Sequence, residues 1–374
     1  MNRSRKTVVF VHLLNDYSGS PLVLSHVIDS LPDTEYKKIL YTSTSSNSGF
    51  LSGLNAVETR YFRYRWKANS WLRLMTFTLS QVLLFFQLLR LWRKEVVIYI
   101  NTLLPFGAAL AGKLMGKKII YHLHETSMKP PALKSFLRLV ANHTADKVIY
   151  VSHYLAAMER LSRPCGSVVY NSLSPVFRDR ADRKRRVAAP SGHRVLMLCS
   201  LKEYKGVGEF LELANMLPSI AFELVLNSSR TEMERWLAGR KVPANCTIHP
   251  TQSDTHPFYQ RATIVINLSH ADQWVETFGM TILEGMTYGL PAIVPTTGGV
   301  RELVEEGLNG FCCDYRELEK LAGHIRLLVN DPKIYRQFSE QALIKSELFS
   351  ESAFGTAIRS IVRGNEKSVI PNHE

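Results

Sequence analysis

An α/β fold of two doubly wound, Rossmann-like domains in tandem is predicted by three features of this 374-residue chain. Short β-branched runs alternate with helix-period segments, the alternation breaks once near the middle, and then it restarts. Such alternation implies a parallel sheet covered on both faces, and the length exceeds what one hydrophobic core ordinarily serves. In the first half, strands are expected at 8–14, 39–42, 96–101, 118–124, 147–151 and 168–170, with helices at 21–31, 70–93, 131–142 and 153–161. The stretch VFRDRADRKRRVAAPSGH at 176–193 is charged, aperiodic and bears Pro and Gly, so it reads as an interdomain linker. It separates a first domain, 1–175, from a second, 194–346. In the second, strands are expected at 195–199, 222–226, 247–249, 263–268 and 292–294, and helices at 208–217, 230–238, 281–288 and 318–329. Two such domains are expected to face each other across a ligand cleft at the carboxyl ends of their strands. A last helical segment, FSESAFGTAIRSIV, occupies 349–362.

Composition narrows the classes of function. Five cysteines (Cys165, Cys199, Cys246, Cys312, Cys313) form neither a paired framework nor a metal-ligand spacing, as expected of reduced thiols in a cytoplasmic protein. The N-terminal apolar run, 8–14, contains His12 and ends without a small-residue cleavage pattern, which reads as a first strand rather than an export signal. The net charge of +13 is uneven: residues 1–190 hold 28 Lys and Arg against 11 Asp and Glu (+17), and residues 191–374 hold 18 against 22 (−4). The excess points the first half towards an anionic partner, whether nucleic acid, a membrane surface or a phosphorylated acceptor. Nucleic acid is not expected, because no aromatic-basic platform or reader motif accompanies the charge.

The segment WLRLMTFTLSQVLLFFQLLRLW at 71–92 stands between Arg63, Arg65 and Lys67 on one side and Arg93 and Lys94 on the other. Its length approaches a bilayer span, but Arg73, Gln81, Gln87 and Arg90 interrupt it. Two readings remain open: a buried helix of the first domain, with Leu74, Phe77, Leu84 and Leu88 at helical spacing, and an amphipathic helix resting on a membrane. A span through the bilayer is not expected, since the neighbouring strands need one compartment.

Four stretches carry candidate chemistry. NDYSGSP at 15–21 leads from the first strand into the first helix, and small residues around Gly19 let backbone approach an anion at a helix start. YHLHETSMKP at 121–130 ends a strand with His122 and His124 on one face; zinc would need further ligands. CSLKEYKGVGEF at 199–210 places Lys202 and Lys205 between a strand and a helix, where an ammonium suits a phosphate. ETFGMTILEGMTYGLPAIVPTTGG at 276–299 sets Glu276 on a loop and Glu284 one turn into a helix opened by Phe278, Gly279, Met280 and Thr281. The helix start offers free N–H groups to a diphosphate, and carboxylates accept sugar hydroxyls, so the set suits a sugar nucleotide.

These residues resemble the GT-B-fold glycosyltransferases of family four, often called group 1. The family's E-x7-E matches Glu276 and Glu284. Its Gly-Gly turn matches Gly298 and Gly299 in TTGGVREL, its Lys-Gly matches Lys205 and Gly206, and its histidine at a strand end matches His124. VSHYL at 151–155 and VVYNSL at 168–173 are similar to the stretches before the interdomain crossover. The resemblance implies two Rossmann-like domains facing across a cleft, with the last helix crossing back to the first. Glu276 would contact hydroxyls of the donor sugar and Glu284 the ribose. Lys205, Lys202 and the amides from Phe278 to Thr281 would neutralise the diphosphate, His124 would hold the donor sugar, and Gly19 would close near the phosphates. It further implies a retaining, metal-independent transfer with no cofactor beyond the nucleotide-diphosphate sugar; no Asp-x-Asp occurs in the chain. Two positions depart from the pattern. Ser200 stands where many members carry arginine, and Ser18-Gly19-Ser20 replaces paired glycines.

The resulting expectation is a cytoplasmic hexosyltransferase, peripheral at the inner face of the cell membrane. Its acceptor is expected to be a lipid-linked saccharide in surface polysaccharide assembly, with the basic first half meeting anionic lipid. The alternative, motivated by Ser200, is a non-catalytic sugar-nucleotide-binding partner subunit.

Overall fold

The computed structural model describes residues 5–44, 48–162, 166–184 and 192–364. The chain forms two compact units, Met1–Ser172 with Ser352–Glu374, and Leu173–Glu351.

The first unit runs β1 (Lys6–Val11), α1 (Gly19–Asp29), β2 (Tyr36–Ser43), β3 (Val57–Phe62), α2 (Ser70–Leu89), β4 (Val96–Asn101), α3 (Phe106–Leu114), β5 (Lys118–Leu123), α4 (Pro131–Thr144), β6 (Lys147–Tyr150), α5 (His153–Met158) and β7 (Gly166–Val168). Its parallel sheet has the order β3-β2-β1-β4-β5-β6-β7. All six residues of β4 are buried, as a central parallel strand covered on both faces requires. The chain winds outward from β1 through β2 to β3, then returns to β4 and winds the other way. The carboxyl ends of β1 and β4 are therefore the switch point at which such sheets bind ligands.

β3 and α3 were not anticipated. β3, VETRYF, is a half-exposed edge strand with no clean alternation. α3, FGAALAGKL, is made of small residues that carry little periodic signal. A Cβ on its Gly107 would lie 2.1 Å from the Gln81 carbonyl oxygen, so α3 approaches the α2 backbone closely. Cys165 lies outside the described residues; Cys199, Cys246, Cys312 and Cys313 are free thiols.

The second unit runs α6 (Pro175–Lys184), β8 (Arg194–Ser200), α7 (Val207–Met216), β9 (Ala221–Asn227), α8 (Arg230–Leu237), β10 (Cys246–His249), α9 (His256–Arg261), β11 (Ile264–Ile266), α10 (Met280–Thr287), β12 (Ala292–Val294), β13 (Gly310–Cys312), α11 (Leu318–Asn330) and α12 (Pro332–Glu347), with 3₁₀ turns at Glu203–Lys205 and Gly299–Glu302. Its sheet order is β10-β9-β8-β11-β12-β13, again parallel. Here the winding reverses between β8 and β11.

The stretch read as a linker, 176–193, opens instead with α6, which groups with the second unit. Its arginines hid the helix by making contacts of their own. An Arg178 Nη donates to the Ser346 and Phe349 carbonyls at 2.6 and 3.1 Å, and Arg180 pairs with Asp254 at 2.6 Å. Phe177 stacks on His256. Residues 185–191 lie outside the described set.

The last helix, α13 (Glu351–Arg363), belongs to the first unit. It buries Phe354, Ile358, Ile361 and Val362. The Lys6 and Lys118 ammonium groups donate to the Val362 and Ile361 carbonyls at 3.0 and 2.6 Å. They satisfy acceptors that the helix end leaves open and oppose its negative pole.

One buried charge cluster holds the second unit together. The Glu223 carboxylate on β9, 2% exposed, accepts from Arg261 Nε at 2.8 Å, and Arg194 and His249 lie at 3.4 and 3.0 Å. Burial opposes its charge, but these partners prevail and hold its pKa below the usual value. Glu223→Ala removes the acceptor shared by three part-exposed side chains and is expected to cost about 1–3 kcal/mol, the scale for losing hydrogen bonds to a charged group. A denaturant midpoint unchanged from the parent would contradict this.

Candidate functional site

In the second unit the site is assembled at the β8/β11 switch point. The loop after β8 carries Lys202 and Lys205, and the loop after β11 carries Glu276. Lys205 Nζ donates to Glu276 Oε2 at 2.8 Å, with both side chains largely buried. Burial alone would push the Glu276 carboxyl up, but the Lys205 charge and hydrogen bonds from Lys205 and Asn267 hold it below its ordinary value. Burial likewise works against the Lys205 ammonium, and Glu276 more than compensates, so its pKa is raised. The pair is ionised over the whole neutral range.

Glu284 sits in the second turn of α10. Tyr259, on α9, donates its phenol proton to Glu284 Oε2 at 2.5 Å. Burial pushes the Glu284 carboxyl up to about 7, only partly opposed by that hydrogen bond. The two carboxylates of the motif therefore differ: one is fixed as an anion by a lysine, and the other is poised to titrate near neutrality.

α10 starts at Gly279, whose φ is +98° and which no side chain caps. Met280 and Thr281 form the first turn, so the N–H groups there are those a helix leaves for an anion. Phe278 does something different from its neighbours. Its ring is buried and meets Phe349 at 5.8 Å between centroids, so its contribution to a ligand is confined to its backbone.

The Gly-Gly turn backs this construction. A Cβ on Gly298 would lie 2.6 Å from the Glu276 carbonyl oxygen, and its φ of +109° excludes other side chains without strain. Gly298→Ala is expected to shift the Glu276 loop and to cost about 1–3 kcal/mol. The check is a lowered melting temperature together with weakened nucleotide binding. Gly206, with φ +77°, approaches the Leu268 carbonyl in the same way and anchors the lysine loop to the end of β11.

A shallow pocket at the carboxyl ends of β8 and β9 is lined by Ser200, Leu201, Lys202, Asn227, Ser228, Glu232, Arg235 and Trp236. Lys202 is exposed at its rim. Ser200 thus stands in a recess that also holds the cations Lys202 and Arg235. His249, at the end of β10, is committed to Glu223.

In the first unit a second cluster forms at the β1/β4 switch point. His124 follows β5, and its Nε2 lies 2.7 Å from Asn101 Oδ1 at the end of β4. Asn101 Nδ2 donates to the Ser20 carbonyl at 3.0 Å and lies 3.1 Å from His12 Nδ1. Because that amide nitrogen is the donor, Asn101 Oδ1 accepts, and the His124 proton resides on Nε2. Burial lowers the His124 pKa well below its ordinary value, assisted by His122 and His12. Burial brings His122 and His12 to about 3 and 4. The imidazoles are neutral at pH 7. Gly19 is the first residue of α1, where an added Cβ would meet nothing, so the packing of this unit does not demand its glycine.

Sequence reasoning missed Asn101, Asn267 and Tyr259. Each acts on a residue distant in the chain, and only the asparagines carried a hint, as polar residues ending apolar strand runs. Among the described residues no group of three or more His, Cys, Asp or Glu side chains is placed to hold a metal ion.

Residues 179–344, from α6 to α12, match the family model described as glycosyl transferases group 1. That stretch, within the second unit, is similar to the group 1 family. Curated glycosyltransferases match the chain at low identity. An uncharacterised glycosyltransferase of Haemophilus influenzae is 26% identical over 170 residues, covering 44% of this chain and 47% of that protein. The D-inositol 3-phosphate glycosyltransferase of Paenarthrobacter aurescens is 24% identical over 57% of this chain and 53% of its own length. The chain thus spans about half the length of these two relatives. Among solved structures, Anabaena HepE in complex with UDP-glucose has the same fold as this chain, with a TM-score of 0.76 at 20% identity, covering 96% of this chain and 99% of that one. The lipopolysaccharide outer core galactosyltransferase WaaB reaches 0.70 at 18% identity, covering 96% and 100%. The fold is accordingly GT-B.

Proposed function

We propose that this protein transfers a hexose from a nucleoside-diphosphate sugar to a saccharide acceptor, with retention of anomeric configuration and without a metal ion. The observation that carries the reading is the Lys205–Glu276 ion pair at the mouth of the β8/β11 switch point, beside the uncapped start of α10. In this reading the bond between the anomeric carbon and the diphosphate oxygen breaks with both electrons leaving on the phosphate. Lys205, with Lys202 and the amides of Gly279, Met280 and Thr281, stabilises that charge in a preorganised way. The acceptor hydroxyl attacks from the face the phosphate leaves, and its proton passes to the departing phosphate oxygen. Glu276 accepts from hydroxyls of the donor sugar, Glu284 from the ribose, and neutral His124 is assigned to the sugar as a hydrogen-bonding group. The nucleotide-binding complexes of HepE support the donor class.

The acceptor we propose is lipid-linked, within surface polysaccharide assembly at the cytoplasmic face of the membrane, because the +17 balance lies in residues 1–190. A melting-temperature panel of nucleoside diphosphates and their hexose conjugates tests the donor assignment. One base and one sugar should raise the transition, by about 2.7 kcal/mol of stabilisation at a hundredfold excess over Kd. A panel in which no member moves it would defeat the proposal.

Asn101 supplies an independent check on His124. Asn101→Ala removes the acceptor that fixes the His124 proton on Nε2, so kcat is expected to fall by about tenfold with donor affinity little changed. Restored turnover in Asn101→Gln would indicate positioning, and unchanged kcat in Asn101→Ala would refute the role.

A further inference from the structure

α2 is folded inside out for a soluble protein. The residues it buries are Phe77, Ser80, Gln81, Leu84 and Leu88, two of them polar. Ser80 Oγ donates to the Phe77 carbonyl at 2.6 Å, Gln81 Nε2 donates to Ser80 Oγ at 3.1 Å, and Gln81 Oε1 accepts from the Gly107 amide at 3.3 Å. Ser80 is thus spent within α2, and Gln81 reaches across to α3. The outward face is apolar: Leu72, Met75, Leu79, Val82, Leu83 and Phe86 are between 37% and 64% exposed. Their spacing of three and four places them along one stripe. By length and composition the helix is apolar enough to cross a membrane, yet it is packed against α3 along its other side. A stripe of this size in contact with water requires a covering.

The surroundings identify the covering. Trp66, Trp71 and Trp92, 58%, 74% and 49% exposed, stand at the two ends of the stripe. Arg63, Arg65, Lys67 and Arg73 flank its start, and Arg90, Arg93 and Lys94 its end. Across residues 59–124 there are 11 Lys and Arg against a single acid, Glu95. Apolar centre, tryptophan ends and a basic margin match a bilayer surface with anionic headgroups, in which the stripe enters the acyl boundary and the cations meet phosphate. A protein partner of matching charge would need a large acidic rim, and the second unit of this chain, near neutral, offers a second copy no such complement.

We infer that α2 is the membrane-docking element of this protein, lying in the plane of an anionic lipid surface with Met75, Leu79, Val82 and Phe86 inserted. The inference deepens the membrane side of the proposed function by naming the surface that makes the contact, and it does not depend on the donor chemistry.

The experiment is co-sedimentation of the full chain, without donor, with phosphatidylglycerol-containing and with pure phosphatidylcholine vesicles. The parent should partition to the anionic vesicles, with a blue shift of tryptophan emission. Met75→Ser/Leu79→Ser/Phe86→Ser, confined to exposed positions, should partition at least about tenfold more weakly while keeping the parental melting temperature and nucleotide binding. Arg93→Glu/Lys94→Glu should lose the salt-sensitive part of the binding alone. Equal partitioning of parent and triple variant overturns the inference, as does parent protein that ignores anionic vesicles. A parent dimer that the triple variant converts to monomer also overturns it, by showing that a second copy covers the stripe. Nucleotide binding measured without vesicles reports separately on the proposed donor site.

Discussion

Glu276→Gln is expected to lower turnover by about 10²–10³-fold, the scale of removing one charge-stabilising group from a preorganised site, while nucleoside-diphosphate binding survives. The glutamine is isosteric and still accepts from Lys205, so the fold and the diphosphate contacts persist. What disappears is the negative charge that the site maintains against its own burial. Lys205 is central to that maintenance, because burial would otherwise raise the Glu276 carboxyl. Lys205→Met should therefore fail differently: nucleotide affinity falls along with turnover, since the cation assigned to the leaving phosphate is gone. Initial-rate kinetics of donor consumption, paired with calorimetric titration of the nucleoside diphosphate, distinguish the two. Turnover that survives Glu276→Gln would sink the catalytic assignment. A parent chain that binds donor and consumes none would instead favour the non-catalytic reading that Ser200 suggested.

A second large effect concerns pH. Burial sets the folded-state pKa of Glu284 at about 7, against an ordinary value of 4.5. Between these values the unfolded chain has released its proton and the folded chain has not, so stability falls as pH rises from about 4.5 to 7 and is flat beyond. The shift corresponds to a penalty of about 3 kcal/mol at pH 8, and Glu284→Gln, which still accepts from Tyr259, should be more stable than the parent there. A ribose hydroxyl donating to Glu284 needs the ionised form. Affinity for a nucleoside-diphosphate sugar, whose diphosphate has no proton to lose near neutrality, should accordingly weaken by about tenfold between pH 8 and pH 6. Binding should release a proton, seen as a dependence of the calorimetric enthalpy on buffer ionisation. An affinity flat across that range would remove Glu284 from the ribose, and a flat profile confined to Glu284→Gln would assign the proton to this residue.

Much of the molecule was legible one residue at a time. β4 and β12 were placed to the residue, because a strand buried on both faces is an uninterrupted apolar run whatever surrounds it. Lys205, Glu276 and Glu284 were singled out because their charges interrupt apolar stretches beside a glycine that can begin a helix. The elements that escaped were half-exposed β3, small-residue α3, short β13 and α9, α6, whose arginines outweigh its few apolar side chains, and α12, a helix of mixed polar and apolar residues.

Local order decided where strands run and which carboxylates stand out; it did not decide which of them are held as anions. That required the strand order, because the β4/β5 pairing brings Asn101 to His124 and the reversal between β8 and β11 brings Lys205 to Glu276. The same holds for α2. Its composition allowed core or membrane surface, and the close approach of Gly107 to Gln81 turned the polar side inward and the apolar stripe outward. Burial and charge pairing are properties of neighbours in space, and those neighbours stand 23 and 71 positions apart in these two pairs.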